Sequence, residues 1–343
     1  MMSSPNPMLS SRNTPLGIFY SLLACFYWGI VFVIPSMLGN FPDLDIVLTR
    51  YSIFGICSLI TIIYKRSNIF KTVPCSLWKT STLWAFLINI VYYFGIAQAV
   101  RYSGSAVTVI IAGLAPIAIL FYSNIKKKVL SYPFLLSMSS IIVVGIILSN
   151  ISEFQSESSS SLLLYLFGLG CVIIATSIWA GYIICNHDFL EKYPEISPDT
   201  WCHMLGISSL VICLPLIALG DLFGITHVTR DFLFHTPLSE RWLFILLCSA
   251  MGIFSSSRAI SAWNKASLHL STALLGALLI FEPIFGWILS YVYKQEVPSF
   301  QEGLGFSLML GASLCLLLAQ KKVNTQDPVA DTLITSESES NSC

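Results

Sequence analysis

Glu282 stands near the middle of an apolar run, directly before Pro283, and no other acid lies so deep in such a run. A carboxylate surrounded by hydrocarbon is costly unless it is neutral, paired or wetted. Three roles fit: holding the positive group of a substrate, carrying a coupling proton, or locking onto a cationic side chain such as Arg258. Pro283 adds a backbone break, because proline removes one helical hydrogen bond and clashes with the preceding turn. Pro116 makes a comparable break within Gly113-Leu114-Ala115-Pro116-Ile117, set against Ile280-Phe281-Glu282-Pro283-Ile284. Where water is absent the freed carbonyl needs a new partner, so paired breaks point to a central cavity or a hinge. Pro116 and Pro283 are the hinge candidates.

Aromatic residues surround this acid in the sequence pattern. Asn89, Tyr92 and Tyr93 fall at i, i+3 and i+4, and Trp179 and Tyr182 at i and i+3, so each set shares one helical face. Tyr27 and Trp28 lie midway through the first apolar run. Rings at mid-depth are not interface anchors. They line a cavity, stack on a flat ligand, hold a cation at the ring face, or simply pack helices. The candidate substrate-binding residues are therefore Tyr27, Trp28, Asn89, Tyr92, Tyr93, Trp179, Tyr182 and Glu282. Arg50 and Arg258 lie near run ends, where long basic side chains are expected to reach back to the headgroups. Ser255, Ser256 and Ser257 are expected to satisfy backbone or to let helices approach closely.

Other chemistries lack their residues. Six of the ten cysteines (Cys25, Cys57, Cys171, Cys213, Cys248 and Cys315) lie inside apolar runs, no CxxC occurs, and no Cys/His spacing suits zinc. There is no glycine-rich phosphate loop and no nucleophile set beside a His/Asp pair. The expectation is no enzyme, no metal and no cofactor. Formal charge is zero, which suggests no nucleic-acid partner.

The elements that must position these residues follow from composition. The chain is 55% hydrophobic and 10% charged, with mean hydropathy +0.76. A soluble globule of this size could not cover so much apolar surface, whereas a lipid bilayer removes the need. Crossing the hydrocarbon takes about 20 apolar residues. Ten runs qualify: Leu16–Leu38, Ile46–Tyr64, Leu83–Val100, Ser105–Tyr122, Tyr132–Leu148, Leu162–Ile184, Thr200–Leu219, Trp242–Trp263, Leu268–Tyr293 and Gln301–Ala319. The first is too long for a signal peptide's apolar core and reads as a retained helix. With the N-terminus in the cytoplasm, 13 of the 18 Lys and Arg fall inside, and Arg50, Arg101, Arg230, Arg241 and Lys294 fall outside. That bias predicts both termini inside.

The runs also repeat. Trp28-Gly29 and Trp179-Ala180-Gly181 are 151 residues apart (179 − 28), and the prolines 167 apart (283 − 116). The difference is absorbed by the long connection Gly220–Arg241. The predicted organisation is an all-α membrane protein of ten transmembrane helices in two inverted five-helix repeats. A cytoplasmic N-terminal segment (1–15) precedes the first repeat (16–150). A linker (151–161) joins it to the second (162–320), and a disordered cytoplasmic tail follows (321–343). An odd number of helices per repeat inverts the second, which is a recurrent carrier plan. The layout resembles the drug/metabolite transporter superfamily, and within it the EamA-type transporters. The likeness spans about residues 16–320. Its marks are Glu282-Pro283, Glu296 beyond it, Arg50-Tyr51, and Trp28-Gly29. The first half departs from the pattern: Ala115 stands where an acid before proline is often found, and Lys126–Lys128 replace an acidic end.

The resemblance implies transport of amino acids, drugs, nucleotide-linked metabolites or, in some intracellular bacteria, S-adenosylmethionine. One membrane acid among many rings suits an amino acid or S-adenosylmethionine, carried by alternating access across a bacterial inner membrane, with exchange as one mode. The partners expected are that small molecule and the bilayer. An efflux carrier for drugs or nucleotide-linked metabolites is the alternative in the same class. A non-transporting scaffold and a lipid-acting membrane enzyme are the alternatives outside it.

Overall fold

The computed structural model describes residues 13–128, 130–150, 162–228, 232 and 236–326. Among these, ten helices are long and apolar enough to cross a bilayer. They are α1 Thr14–Phe32, α2 Asp43–Tyr64, α3 Cys75–Ser103, α4 Val107–Lys126, α5 Tyr132–Ser149, α6 Leu162–Lys192, α7 Pro198–Leu222, α8 Leu238–His269, α9 Thr272–Lys294 and α10 Phe300–Ala319. No strand occurs among the described residues. The chain is thus an all-helical, multi-pass membrane protein. Large apolar side chains point outward, among them Leu163, Leu222 and Ile63, at 78%, 75% and 67% exposed. In water such exposure would be costly; in lipid it is the natural surface.

Several helices outrun their apolar stretches. The bilayer sets the length of the hydrocarbon segment, but nothing stops a helix from continuing into the polar boundary. Helix α3 begins at Cys75, just after Pro74, although its apolar run starts at Leu83. Thr80 and Thr82 there return their hydroxyls to the carbonyls four residues back. Leu268, expected to open the ninth helix, belongs to α8; Leu270 is extended, and Ser271 caps α9 by accepting from the Leu274 N–H. The last helix runs to Gln326, so residues 321–326, expected in the tail, are helical. The remaining tail, the linker 151–161 and residues 1–12 lie outside the described residues.

Short connections make consecutive helices antiparallel. The face holding the start of α1 is here called near and the opposite one far. The pairings bear the direction out. Gly168, early in α6, packs on Tyr102 and Ser103 at the far end of α3, and Gly17 of α1 packs on Leu270 at the near end of α8. The principal pairs are α2–α7, α4–α9, α5–α10, α1–α8, α3–α6, α1–α9, α4–α6, α2–α8 and α3–α7. Shifting every helix by five places converts this set into itself. Local irregularities obey the same shift. Helices α3 and α8 each carry a π-helical segment, Leu87–Val91 and Met251–Arg258. Helices α4 and α9 are each interrupted just before their proline, at Gly113-Leu114 and at Ile280. Each is also followed by a non-glycine residue at positive φ, Lys128 and Gln295.

Small residues set the tightest pairs. A Cβ on Gly206 of α7 would lie 3.0 Å from Phe54 of α2, and one on Gly145 of α5 would lie 2.7 Å from the Gly305 carbonyl of α10. Glycine lets these backbones approach where lipid provides no hydrophobic drive between helices.

Candidate functional site

A cavity of about 510 Å³ lies among α3, α4, α5, α9 and α10, with Phe32 of α1 and Trp179 of α6 closing its sides. Its walls follow from helical spacing. On α9 the lining residues centre on a stripe at intervals of three or four, Leu279, Glu282/Pro283, Gly286/Trp287, Ser290/Tyr291 and Lys294, with Ile280 and Tyr293 at its edges. At 1.5 Å per residue, Glu282 to Lys294 covers about 18 Å. Every lining residue lies from mid-membrane to the far end: Tyr92 to Val100 on α3, Thr108 to Pro116 on α4, Ile142 to Asn150 on and just past α5, Glu302 to Met309 on α10. The cavity is therefore a vestibule on the far side, deepest at Glu282, Pro116, Tyr92 and Trp179.

Glu282 sits on the first turn of the α9 segment that restarts at Phe281. No described residue gives its carboxylate a hydrogen bond or an ion pair. Its recognisable electrostatic neighbour is Arg50. Arg258, considered as its lock, is exposed. Arg50 was expected to reach the headgroups, and it does not. It is 7% exposed, donates from Nε to Ser256 Oγ at 2.9 Å, and lies 4.9 Å above the Tyr51 ring centroid. Its Nη2 approaches the Ser255 carbonyl at 3.4 Å. The π-helical turn of α8 supplies those two acceptors, since widening a helix frees carbonyls and re-aims side chains. Ser255 in turn donates to the Tyr27 carbonyl at 2.6 Å, tying α1 to the same turn.

The sequence-selected residues divide sharply. Tyr92, Trp179, Glu282, Pro116 and Pro283 line the cavity together. Tyr27, Trp28, Asn89, Tyr93 and Tyr182 are not among its walls. Asn89 is buried and donates to Ser209 Oγ at 2.7 Å, which joins α3 to α7. Trp28 and Tyr182 pack behind Trp179, with ring centroids 5.4 Å and 5.9 Å from it. Tyr27 leans on Phe254 at 5.8 Å. Tyr93 packs against the main core.

Sequence reading passed over Trp287, Ser290, Tyr291 and Phe306, all in the walls. Trp287 packs at a tilt against Phe306, 4.2 Å between centroids, and against Tyr291 at 5.1 Å. The signal was available: stepping by four from Glu282 passes Gly286, Ser290 and Lys294, a polar and small-residue stripe on an otherwise apolar helix.

No family model matches the chain. It is 26% identical over 303 residues to the inner membrane protein YtfF of Escherichia coli (strain K12), covering 86% of this chain and 92% of that protein. A solved crystal structure aligns over 91% of this chain and 99% of its own, with TM-score 0.69 at 15% identity, which establishes a shared fold.

Proposed function

We propose that the protein is a secondary carrier of the inner membrane, moving a small metabolite with a positive group and a flat or apolar body, such as an amino acid or S-adenosylmethionine. The observation that carries this reading is Glu282: an acid with no protein partner among the described residues, in the wall of a mid-membrane cavity faced by rings. A buried anion of this kind is expensive unless something else meets it. A cationic solute does, and the faces of Tyr92 and Trp179 favour the same charge. The volume falls within the usual range for small-molecule sites. Phosphates would want basic groups at depth, and the lysine in the walls, Lys294, is at the mouth. Nucleotide-linked cargo is therefore the weaker alternative. The reading includes no enzymatic step and no cofactor.

The self-matching helix pairs, matched π turns and matched breaks support two inverted repeats, hence alternating access, with both termini in the cytoplasm. The likeness to an inner membrane protein supports the location, and the layout supports placement with the drug/metabolite transporters. Uptake, efflux and exchange of labelled amino acids and S-adenosylmethionine in cells expressing the protein test the reading. Transport of one class that Glu282→Gln impairs, with the variant still inserted in the membrane, is the expected result. Absence of any flux of either class overturns it.

A further inference from the structure

Among the described residues, rings pack tightly beneath the vestibule, towards the near face. Behind Trp179 lies Trp28, and 5.2 Å from Trp28 lies Trp263. Tyr182 bridges Trp179 and Trp84 at 5.9 and 5.5 Å. Trp28, Trp263 and Tyr182 are 5%, 1% and 1% exposed. This packing is imperfect, for the Tyr182 hydroxyl and the Trp263 indole N–H are buried with no hydrogen-bond partner among the described residues. Such groups cost stability wherever they are dry, and they mark a region that gains partners when opened. Below the rings a polar layer closes the near end. Trp201 Nε1 donates to Asn186 Oδ1 at 2.8 Å, Asn186 Nδ2 to Asn264 Oδ1 at 3.1 Å, and His187 Nδ1 meets the Ser267 carbonyl at 3.1 Å. Lys126 of α4 pairs with Asp188 of α6 at 3.6 Å.

The repeat relates this plug to the vestibule residue by residue. The 167-residue offset that joins the prolines also joins Lys128 to Gln295 (295 − 128) and the π-segment ends Val91 and Arg258 (258 − 91). The same offset takes the cavity-wall residues Ile96 and Ser290 to Trp263 (263 − 96) and Ser123 (290 − 123), and the 151-residue offset takes Trp179 to Trp28. All three counterparts are buried, Ser123 at 4% exposure, and Trp263 and Ser123 lie in the near halves of α8 and α4. We infer that Trp28, Trp263 and Ser123 line a second, near-side vestibule that opens as the far one closes, so the ring plug is the inner gate of the transit path. The inference rests on the carrier reading. The contact that must part first is between α4 and α9, where a Cβ on Gly276 would lie 2.9 Å from Ile119 and 3.4 Å from the Pro116 carbonyl.

The test introduces Ser123→Cys, Ser290→Cys or, as a buried control on α3, Ala85→Cys into the full chain. A membrane-impermeant maleimide is applied from one face at a time, and labelling is read peptide by peptide by mass spectrometry, so the native cysteines stay. Gly276→Leu acts as a wedge; Ile119→Ala, which thins the same contact, replaces it if the wedged chain does not accumulate. The expected result is labelling at 290 from the far face, labelling at 123 from the near face only, and an about tenfold rise at 123 with a fall at 290 in the wedged chain. Position 123 as silent as position 85 in both backgrounds, or reactive from the same face as position 290, overturns the gate. A parallel rise at 123 and 85 does so as well, since it reports general loosening. Flux with a silent position 123 defeats the gate and leaves the carrier. Face-specific labelling at 123 with no flux of any candidate metabolite defeats the carrier reading and leaves the two-sided path.

Discussion

Replacing Glu282 by Gln separates a binding acid from a structural one. The substitution keeps shape and removes the charge. In the folded chain no described residue hydrogen-bonds or pairs with the carboxylate, so what is lost on the protein side is the longer-range attraction to Arg50. Removing an anion from a poorly solvated wall also relieves a desolvation cost. Thermal stability in detergent is therefore expected to hold or rise, with any loss below about 0.5 kcal/mol. The effect on solute should be large. A hydrogen bond to a charged group contributes about 1.5–3 kcal/mol. At 1.4 kcal/mol per factor of ten, KM or Kd should rise about tenfold to a hundredfold. Transport kinetics and a thermal-unfolding curve on the same preparation check both halves. A drop of several degrees in Tm with unchanged KM would instead make Glu282 a lock within the fold and remove it from solute binding.

Other perturbations have equally definite outcomes. Tyr92→Ala should raise KM about twofold to thirtyfold through loss of a ring face worth about 0.5–2 kcal/mol to a cation, whereas Tyr92→Phe should leave it near the parent value in the same flux assay. Ser209→Ala should lower Tm through loss of an interhelical hydrogen bond of about 0.6–2 kcal/mol to Asn89, with KM unchanged, since neither residue lines the cavity. Gly206→Leu should sharply reduce the yield of folded protein by size-exclusion chromatography, because its side chain would drive α7 off Phe54 and Ser58 of α2. Arg50→Met should depress flux more than Arg50→Lys does, since lysine keeps a positive charge near Glu282 while losing the Ser256 contact.

Much of the fold was legible because a membrane imposes a simple rule on sequence. Each of the ten apolar runs became a helix, and Pro283 marked the break in the ninth, which falls three residues earlier at Ile280. The ends of helices were less legible: Lys192 ends α6 and Cys75 begins α3 in polar sequence, where hydropathy carries no signal. The site was half legible. Glu282 and the two prolines announced themselves as anomalies in hydrocarbon. Rings did not, because Trp28 and Trp179 have the same composition signal yet one is packed behind the other. Only three-dimensional packing tells a wall from what lies behind it. Arg50 was misjudged for a related reason. Its place near a run end suggested the headgroups, but α2 starts at Asp43, and the widened turn of α8 offers the guanidinium buried oxygens. A π-helical turn leaves little trace in sequence beyond its serines.

A carrier of this kind must bind a cationic small metabolite in the Glu282 cavity. Ligand-dependent thermal unfolding of the purified protein across a metabolite panel tests it most directly, since a solute at a hundred times its Kd stabilises the bound state by about 2.7 kcal/mol. A cationic, ring-bearing or amphipathic solute should raise Tm, and Glu282→Gln should abolish the shift at the same concentration. A panel that leaves Tm unmoved, or a shift that survives Glu282→Gln in full, contradicts it.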